Sequence, residues 1–323
     1  MNVLVLLDHD GARLRPTARE LLTLARGLPG AQVHAVWIGA APGGETRAEA
    51  GAHGAAVLHH VLVDGADEHL TASVAEVLET VRTEVGAPLL LVSSTFEGKE
   101  VAARLAVRTG AGVVTGAGAV ERDAEGRFVA GKTVLAGTWT TRCALTGPFG
   151  VVAVAPNSVR ATPLPQAPEP AVVEHRVQAP AAARAVTVHS RELRPTSDRP
   201  ALAEAEVVVV GGRGVEGDFS AVEELADALG GAVGATRVAT DEGWIGHEAQ
   251  VGQTGVTISP RLYVGAGVSG AVHHRGGMAA SATVVAVNSD PDAPIFEFAD
   301  YGIVGDLTEV LPALSAEVRR RRG

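Results

Sequence analysis

Two glycine-punctuated turns stand in the second half of the chain: Gly212-x-Gly214-x-x-Gly217 in VVVVGGRGVEGDF, and Gly265-x-Gly267-x-x-Gly270 in RLYVGAGVSGAVHHRGGM. Each follows a short apolar run and precedes a helix-like one. A strand that ends in glycines can turn tightly, bring bare backbone close to a pyrophosphate and open a helix whose first N–H groups face the anion. With 39 glycines in 323 residues, one such match arises easily by chance. Two in one stretch point to a nucleotide site. Between them, GATRVATDEGW (234–244) and QVGQTG (250–255) supply Thr236, Arg237, Gln253 and Thr254. Together these offer a permanent cation, hydroxyls and an amide, a set suited to an electron-rich heterocycle.

Other chemistries fit the spacing less well. Ser269 follows Gly267 by two residues but has no glycine two residues beyond it, so the nucleophile elbow of a hydrolase is incomplete. His273 and His274, like His59 and His60, are adjacent in sequence, and adjacent side chains diverge on either a helix or a strand, which argues against metal sites. An NAD-dependent dehydrogenase using the two glycine loops is the alternative reading. It asks for an acidic residue about 20 positions beyond the glycines. The strand TVVAV instead ends at Asn288, with Asp290 after it, and no substrate domain follows. A nucleotide-binding structural subunit that has lost its cofactor is a third possibility.

The elements that must position these residues are legible in the pattern. From Met1 to about Val154, strands at Val3–Leu7, Gln32–Ile38, Val57–Val63 and Leu89–Ser93 alternate with helices at Ala18–Leu28, Leu70–Val85 and Lys99–Arg108, and RFVAGKTVLAG and FGVVAVAP read as further strands. Such alternation predicts an α/β fold with a mainly parallel sheet and helices on both faces. Between Ala155 and Pro200 fall Pro156, Pro163, Pro165, Pro168, Pro170, Pro180, Pro195 and Pro200. That density disfavours continuous sheet or helix, so the domain boundary is expected here, with at most a strand at Val172–Arg176 along the surface. The pattern resumes with strand 206–210, helix 219–229, an irregular stretch, strand 262–264, helix 270–277 and strand 283–287. It closes on a helix, Leu307–Arg322, with Asp306 as N-cap. The expected domains are residues 1-188 and 189-323.

Composition narrows the partners. A net charge of −10, from 27 Lys+Arg against 37 Asp+Glu, offers no attraction to nucleic acid. The run Arg319–Arg322 reads as a frayed basic tail. Cys143 is the single cysteine, so redox chemistry must come from a bound cofactor rather than a dithiol or a cysteine-ligated cluster. MNVLVLLDHD lacks a basic start and a cleavage site, and no run approaches the roughly 18 apolar residues of a membrane span. A cytoplasmic protein, not membrane-embedded, is expected.

In this order, VVVVGGRGV, AVGATRVATDEGW, QVGQTG, GVSGAVHHRGGM and AVNSDPDAPIFEFADYGIVGDL resemble the α subunit of the electron transfer flavoproteins. The resemblance is close from about Asp198 to Leu311 and general in the first half. It implies that residues 189-323 form a Rossmann-like FAD-binding domain within a heterodimer whose electron transfer flavoprotein β subunit shares the FAD. It also implies a carrier without substrate chemistry of its own, taking electrons from acyl-CoA (fatty acid beta-oxidation) or other flavin dehydrogenases to a quinone oxidoreductase of the respiratory chain. Carried over motif by motif, the resemblance places Arg213 near the diphosphate or flavin, and Thr236 and Arg237 against the isoalloxazine. Val251, Gly252, Gln253 and Thr254 then run beside it, with Gln253 on the ribityl chain and Thr254 on flavin N5. Ser269, Gly270, Ala271, Val272, His273 and His274 form the pyrophosphate loop and helix start, His274 being aimed at the flavin C2 carbonyl. Asn288, Asp306 and Leu307 frame the adenosine end.

The chain departs from the family in three places. Thr236 stands for a frequent serine, His273 for a frequent glutamine, and Ala155 for the usual arginine after the last N-terminal strand. An arginine near the flavin favours its negatively charged reduced ring. At an effective dielectric of about 20, one charge at roughly 4 Å is worth about 4 kcal/mol before desolvation, and each ~1.4 kcal/mol moves a one-electron potential by ~59 mV.

Overall fold

The computed structural model describes residues 1–192 and 198–322; Pro195 of the proline-rich stretch lies outside them. The chain divides into two compact units, residues 1–132 with 140–193, and residues 133–139 with 194–323.

In chain order, the first half runs β1 (Asn2–Leu6), α1 (Pro16–Gly27), β2 (Gln32–Ile38), α2 (Gly44–His53), β3 (Ala55–Asp64), α3 (Thr71–Val85), β4 (Leu89–Ser93), α4 (Phe96–Thr109), β5 (Gly112–Ala117), β6 (Ala119–Arg122), β7 (Phe128–Val134), β8 (Trp139–Ala144), β9 (Gly150–Val154), β10 (Ala171–Gln178) and α5 (Ala181–Arg184). Seven of these strands form one sheet in the order β10-β3-β2-β1-β4-β9-β5, parallel throughout. Its central strands read as unbroken apolar runs because both faces are covered. Val3, Val5, Ala35, Trp37, Leu89 and Leu91 pack with α1, while Leu4, Val36, Leu90 and Val92 pack with α3 and α4. β6, β7 and β8 make a separate small sheet, with β6 and β7 antiparallel.

The proline-rich segment corrects one expectation. β10 is a continuous eight-residue strand that pairs with β3 from Ala171↔Val57 to Gln178↔Asp64. It tolerates its neighbourhood because Pro170 and Pro180 bracket it and none lies inside, so no ladder donor is lost. On β3, His59 and His60 point to opposite faces. His60 Nε2 meets the Gly39 carbonyl at 2.8 Å, whereas His59 bridges two histidines: its Nε2 is 2.9 Å from His34 Nδ1 and its Nδ1 2.8 Å from His175 Nε2. His175 Nδ1 lies 3.4 Å from Glu84. A carboxylate only accepts, so His175 Nδ1 is the donor toward Glu84, and the row ends at His34 Nε2, buried without a partner.

The second half contains β11 (Val207–Gly211), α6 (Ser220–Leu229), β12 (Ala232–Ala235), α7 (Arg237–Asp241), β13 (Leu262–Ala266), α8 (Val272–Met278), β14 (Val284–Asn288), β15 (Tyr301–Val304) and α9 (Leu307–Arg322). Its sheet, also parallel, has the order β12-β11-β13-β14-β15. From β11 the chain goes first to one side and then to the other, which puts the topological switch point between the carboxyl ends of β11 and β13, where the two glycine loops lie. Asp306 caps α9, accepting from Thr308 N–H at 2.8 Å. The basic end of α9 is not frayed. Arg319 pairs with Glu224 at 2.7 Å, and Arg322 donates to the carbonyls of Ala228 and Leu229 at 2.8 and 3.1 Å, serving the last carbonyls of α6. Among the described residues no helix is long and apolar enough to cross a membrane.

Candidate functional site

The two glycine loops face each other rather than forming two separate cradles. Gly214 N–H donates to the Gly267 carbonyl at 3.1 Å, and Gly212 N–H to that of Ala266 at 2.9 Å. A Cβ on Gly212 would stand 2.7 Å from the Gly267 carbonyl carbon and from Val268 Cα, and Gly267 holds φ +61° with Gly214 Cα 2.7 Å from its own Cβ position. Bare backbone on both loops is therefore what lets β11 and β13 end side by side.

At this point a cleft of about 760 Å³ opens, the size of a cofactor site. Of the residues expected from sequence, Arg213, Thr236, Arg237, Ser269, Ala271, His273, His274, Asn288, Asp306 and Leu307 line it. Gly214, Glu216, Val238, Gly267, Val268, Ser289, Asp290, Ala293, Pro294, Gly305 and Thr308 complete the wall. Ala293 and Pro294 come from the turn that receives Gly270, where Ile295 N–H donates to the Ser269 carbonyl at 3.0 Å. Asn288 spans two loops: its amide donates to the Val268 carbonyl at 3.0 Å, and its Oδ1 accepts from Asp290 N–H at 3.0 Å.

The remaining expected residues sit differently. Gly270 is buried and Val272 is exposed, and neither is on the cleft wall; Val251, Gly252, Gln253 and Thr254 also lie off it. That last stretch adjoins the cleft through Gln253 N–H, which donates to the His273 carbonyl at 3.0 Å. Sequence reading missed Gln250, a buried amide that joins it to α7. Gln250 Oε1 lies 2.9 Å from the Thr240 hydroxyl, and its Nε2 donates to Thr254 Oγ1 at 3.0 Å. Because Thr254 Oγ1 accepts there, its own proton is left to point elsewhere. Thr236 opens α7, and its Oγ1 is buried without a partner, a polar atom of the kind that waits for a ligand.

The two adjacent histidines part company. His273 is exposed on the cleft, whereas His274 is 7% exposed and has both ring nitrogens engaged within the protein: Nδ1 with the Val251 carbonyl at 3.0 Å and Nε2 with the Tyr263 hydroxyl at 2.7 Å. Burial pulls His274 down to about 4, so it is neutral near pH 7. Both histidines line the cleft, His274 with its two ring nitrogens bonded within the protein and His273 exposed. Arg237 is 70% exposed and pairs with Asp241 at 3.1 Å. Both facts move its field toward the solvent-screened limit, so the 4 kcal/mol of a half-buried charge falls to about 1 kcal/mol.

Comparison with known proteins bears on this cleft. Residues 201–279 match the family model described as the electron transfer flavoprotein FAD-binding domain, and residues 3–195 match that of the electron transfer flavoprotein domain. The chain is 40% identical over 324 residues to the electron transfer flavoprotein subunit alpha of Mycobacterium leprae (strain TN), with 99% of each chain covered. It is 42% identical over 326 residues to that of Mycobacterium tuberculosis (strain ATCC 25618 / H37Rv), again over 99% of each. To the mitochondrial subunit alpha of Oryza sativa subsp. japonica it is 36% identical over 333 residues, covering 97% of this chain and 89% of the other.

Proposed function

The chain belongs to the electron transfer flavoprotein family as an α subunit, with FAD as its cofactor, and from that premise we propose that the cleft at the β11/β13 switch point holds the FAD in a cytoplasmic heterodimer with a β subunit. The domain that holds it is taken as residues 189-323. The complex carries electrons from acyl-CoA or other flavin dehydrogenases to a quinone oxidoreductase, and does no substrate chemistry of its own.

The observation that carries this reading is the partnerless Thr236 Oγ1 on the wall of a 760 Å³ cleft that also presents Arg213 and Arg237. The donor set fits a flavin dinucleotide: two guanidiniums for anionic groups, and Asp290 and Asp306 for ribose hydroxyls. When bound, FAD supplies the one-electron chemistry. This chain's residues bind and orient it: Thr236 with its free hydroxyl, Asn288 by bracing the Val268 and Asp290 loops, and Arg237 by favouring added negative charge on the ring.

The test is the visible absorption spectrum of the chain purified after co-expression with its β-type neighbour. Flavin bands are expected, and a complex that stays colourless after added FAD would overturn the reading. A narrower result follows for Arg237. Its exposure limits its field to about 1 kcal/mol, so Arg237→Ala should lower the one-electron potential by about 40 mV. Anaerobic redox titration checks it, and an unchanged potential removes Arg237 from the flavin's surroundings.

A further inference from the structure

Tyr263 is fully buried on β13, away from the cleft wall, and its hydroxyl reaches one atom of the site, His274 Nε2, at 2.7 Å. The other ring nitrogen, Nδ1, faces the Val251 carbonyl at 3.0 Å. A carbonyl oxygen only accepts, so Nδ1 carries the imidazole proton. Neutral Nε2 is then a bare lone pair, and the phenol must be its donor. The direction of both bonds is fixed without reference to any ligand: Tyr263 O–H to His274, His274 N–H to Val251.

Val251 begins the stretch that runs to Thr254, and that stretch lies hard against α8. Gln253 N–H donates to the His273 carbonyl at 3.0 Å, and Ile258 N–H to that of Gly277 at 2.8 Å. A Cβ on Gly277 would fall on the backbone of Gly252, 2.8 Å from its carbonyl carbon and closer still to its nitrogen and Cα. The loop and the helix are therefore packed as one piece, and the His274 side chain of α8 is bonded into the loop at Val251.

We propose that Tyr263 is a positioning residue of the FAD site: by donating to His274 Nε2 it locks the ring in the Nδ1–H form and so pins the Val251–Thr254 loop against α8. The proposal rests on the FAD reading above only for its effect on the cofactor, since the internal bonds are independent of it. Burial pushes the Tyr263 phenol up, so it remains a donor across the range in which the protein is handled.

Two measurements test it. In the wild-type full chain, ¹⁵N spectra of labelled histidine should show His274 neutral, protonated on Nδ1 and bonded at Nε2; an Nε2–H ring or a rotationally averaged one overturns the proposal with no variant needed. In the heterodimer, Tyr263→Phe should speed amide exchange of residues 252–256 at least tenfold while β11 and α6 exchange as before, and should speed FAD release at least tenfold. Unchanged exchange at 252–256, or a uniform rise across the unit, means that Tyr263 only fills space and overturns it. If the wild-type heterodimer holds no FAD, the cofactor reading fails separately, and the histidine spectrum and exchange still decide the role of Tyr263.

Discussion

Gly212→Ala should destabilise the C-terminal unit by about 3 kcal/mol and abolish flavin binding. A single methyl group is enough because of what it meets. The new Cβ would fall on the Gly267 carbonyl group and 2.7 Å from Val268 Cα, all of it backbone, with no side chain that can swing aside. Overpacking of this kind commonly costs 1–3 kcal/mol, and more when backbone must move. Relief requires β11 and β13 to separate at their carboxyl ends, and that is where the cleft is walled by Gly214, Gly267 and Val268. Stability and cofactor are therefore lost together. The contrasting substitution is Gly27→Ala at the end of α1, where a Cβ meets nothing within 4 Å; it should be neutral to within about 0.5 kcal/mol. Urea unfolding and flavin absorbance of the two variants check the pair. A Gly212→Ala chain that keeps wild-type stability and colour would mean that the two loops are not in contact.

The same loops show how far the sequence could be read. Spacing marked both turns and placed them after strands, because glycines behind an apolar run have few other uses. It could not show that Gly212 and Gly267 serve each other's backbone, which depends on β11 and β13 being neighbours. β2 and β4 were legible to the residue, since strands buried on both faces are mostly apolar, and His34 alone interrupts VHAVWI. α2 was missed because GETRAEAGAH has no large apolar residue to mark a face. AVGA of β12 is short and made of small residues, so its pairing with β11, not its propensity, makes it a strand. β10 was read as a surface strand at most, since a parallel partner 114 residues away in sequence leaves no local trace. In the site, charged and hydroxyl side chains could be nominated by type. Wall residues such as Gly305, Ala293 and Pro294 could not, because the fold places them there irrespective of side-chain chemistry.

Histidine burial should make the protein acid-sensitive well above the carboxylate range. His59 and His274, one in each unit, are both drawn down to about 4 from 6.5, chiefly by burial, and for His59 also by the neighbouring His175 and His34. The unfolded chain therefore binds these protons more readily than the native one. Their contribution is whole above pH 6.5, is lost as pH falls from there towards 4, and amounts to about 3 kcal/mol for each ring. His9, His34 and His53 shift in the same direction, also through burial. Carboxylates held below their ordinary range, such as Asp10 and Asp67, add their losses only further down. Urea midpoints should thus drop steeply between pH 6.5 and 4.5, before acid reaches the carboxylates. The slope should flatten by about one proton in His59→Asn, because Asn keeps a polar group between His34 and His175 but takes up no charge. A midpoint flat across that window would show that His59 and His274 take up their protons in the native fold as readily as in the unfolded chain, despite their burial.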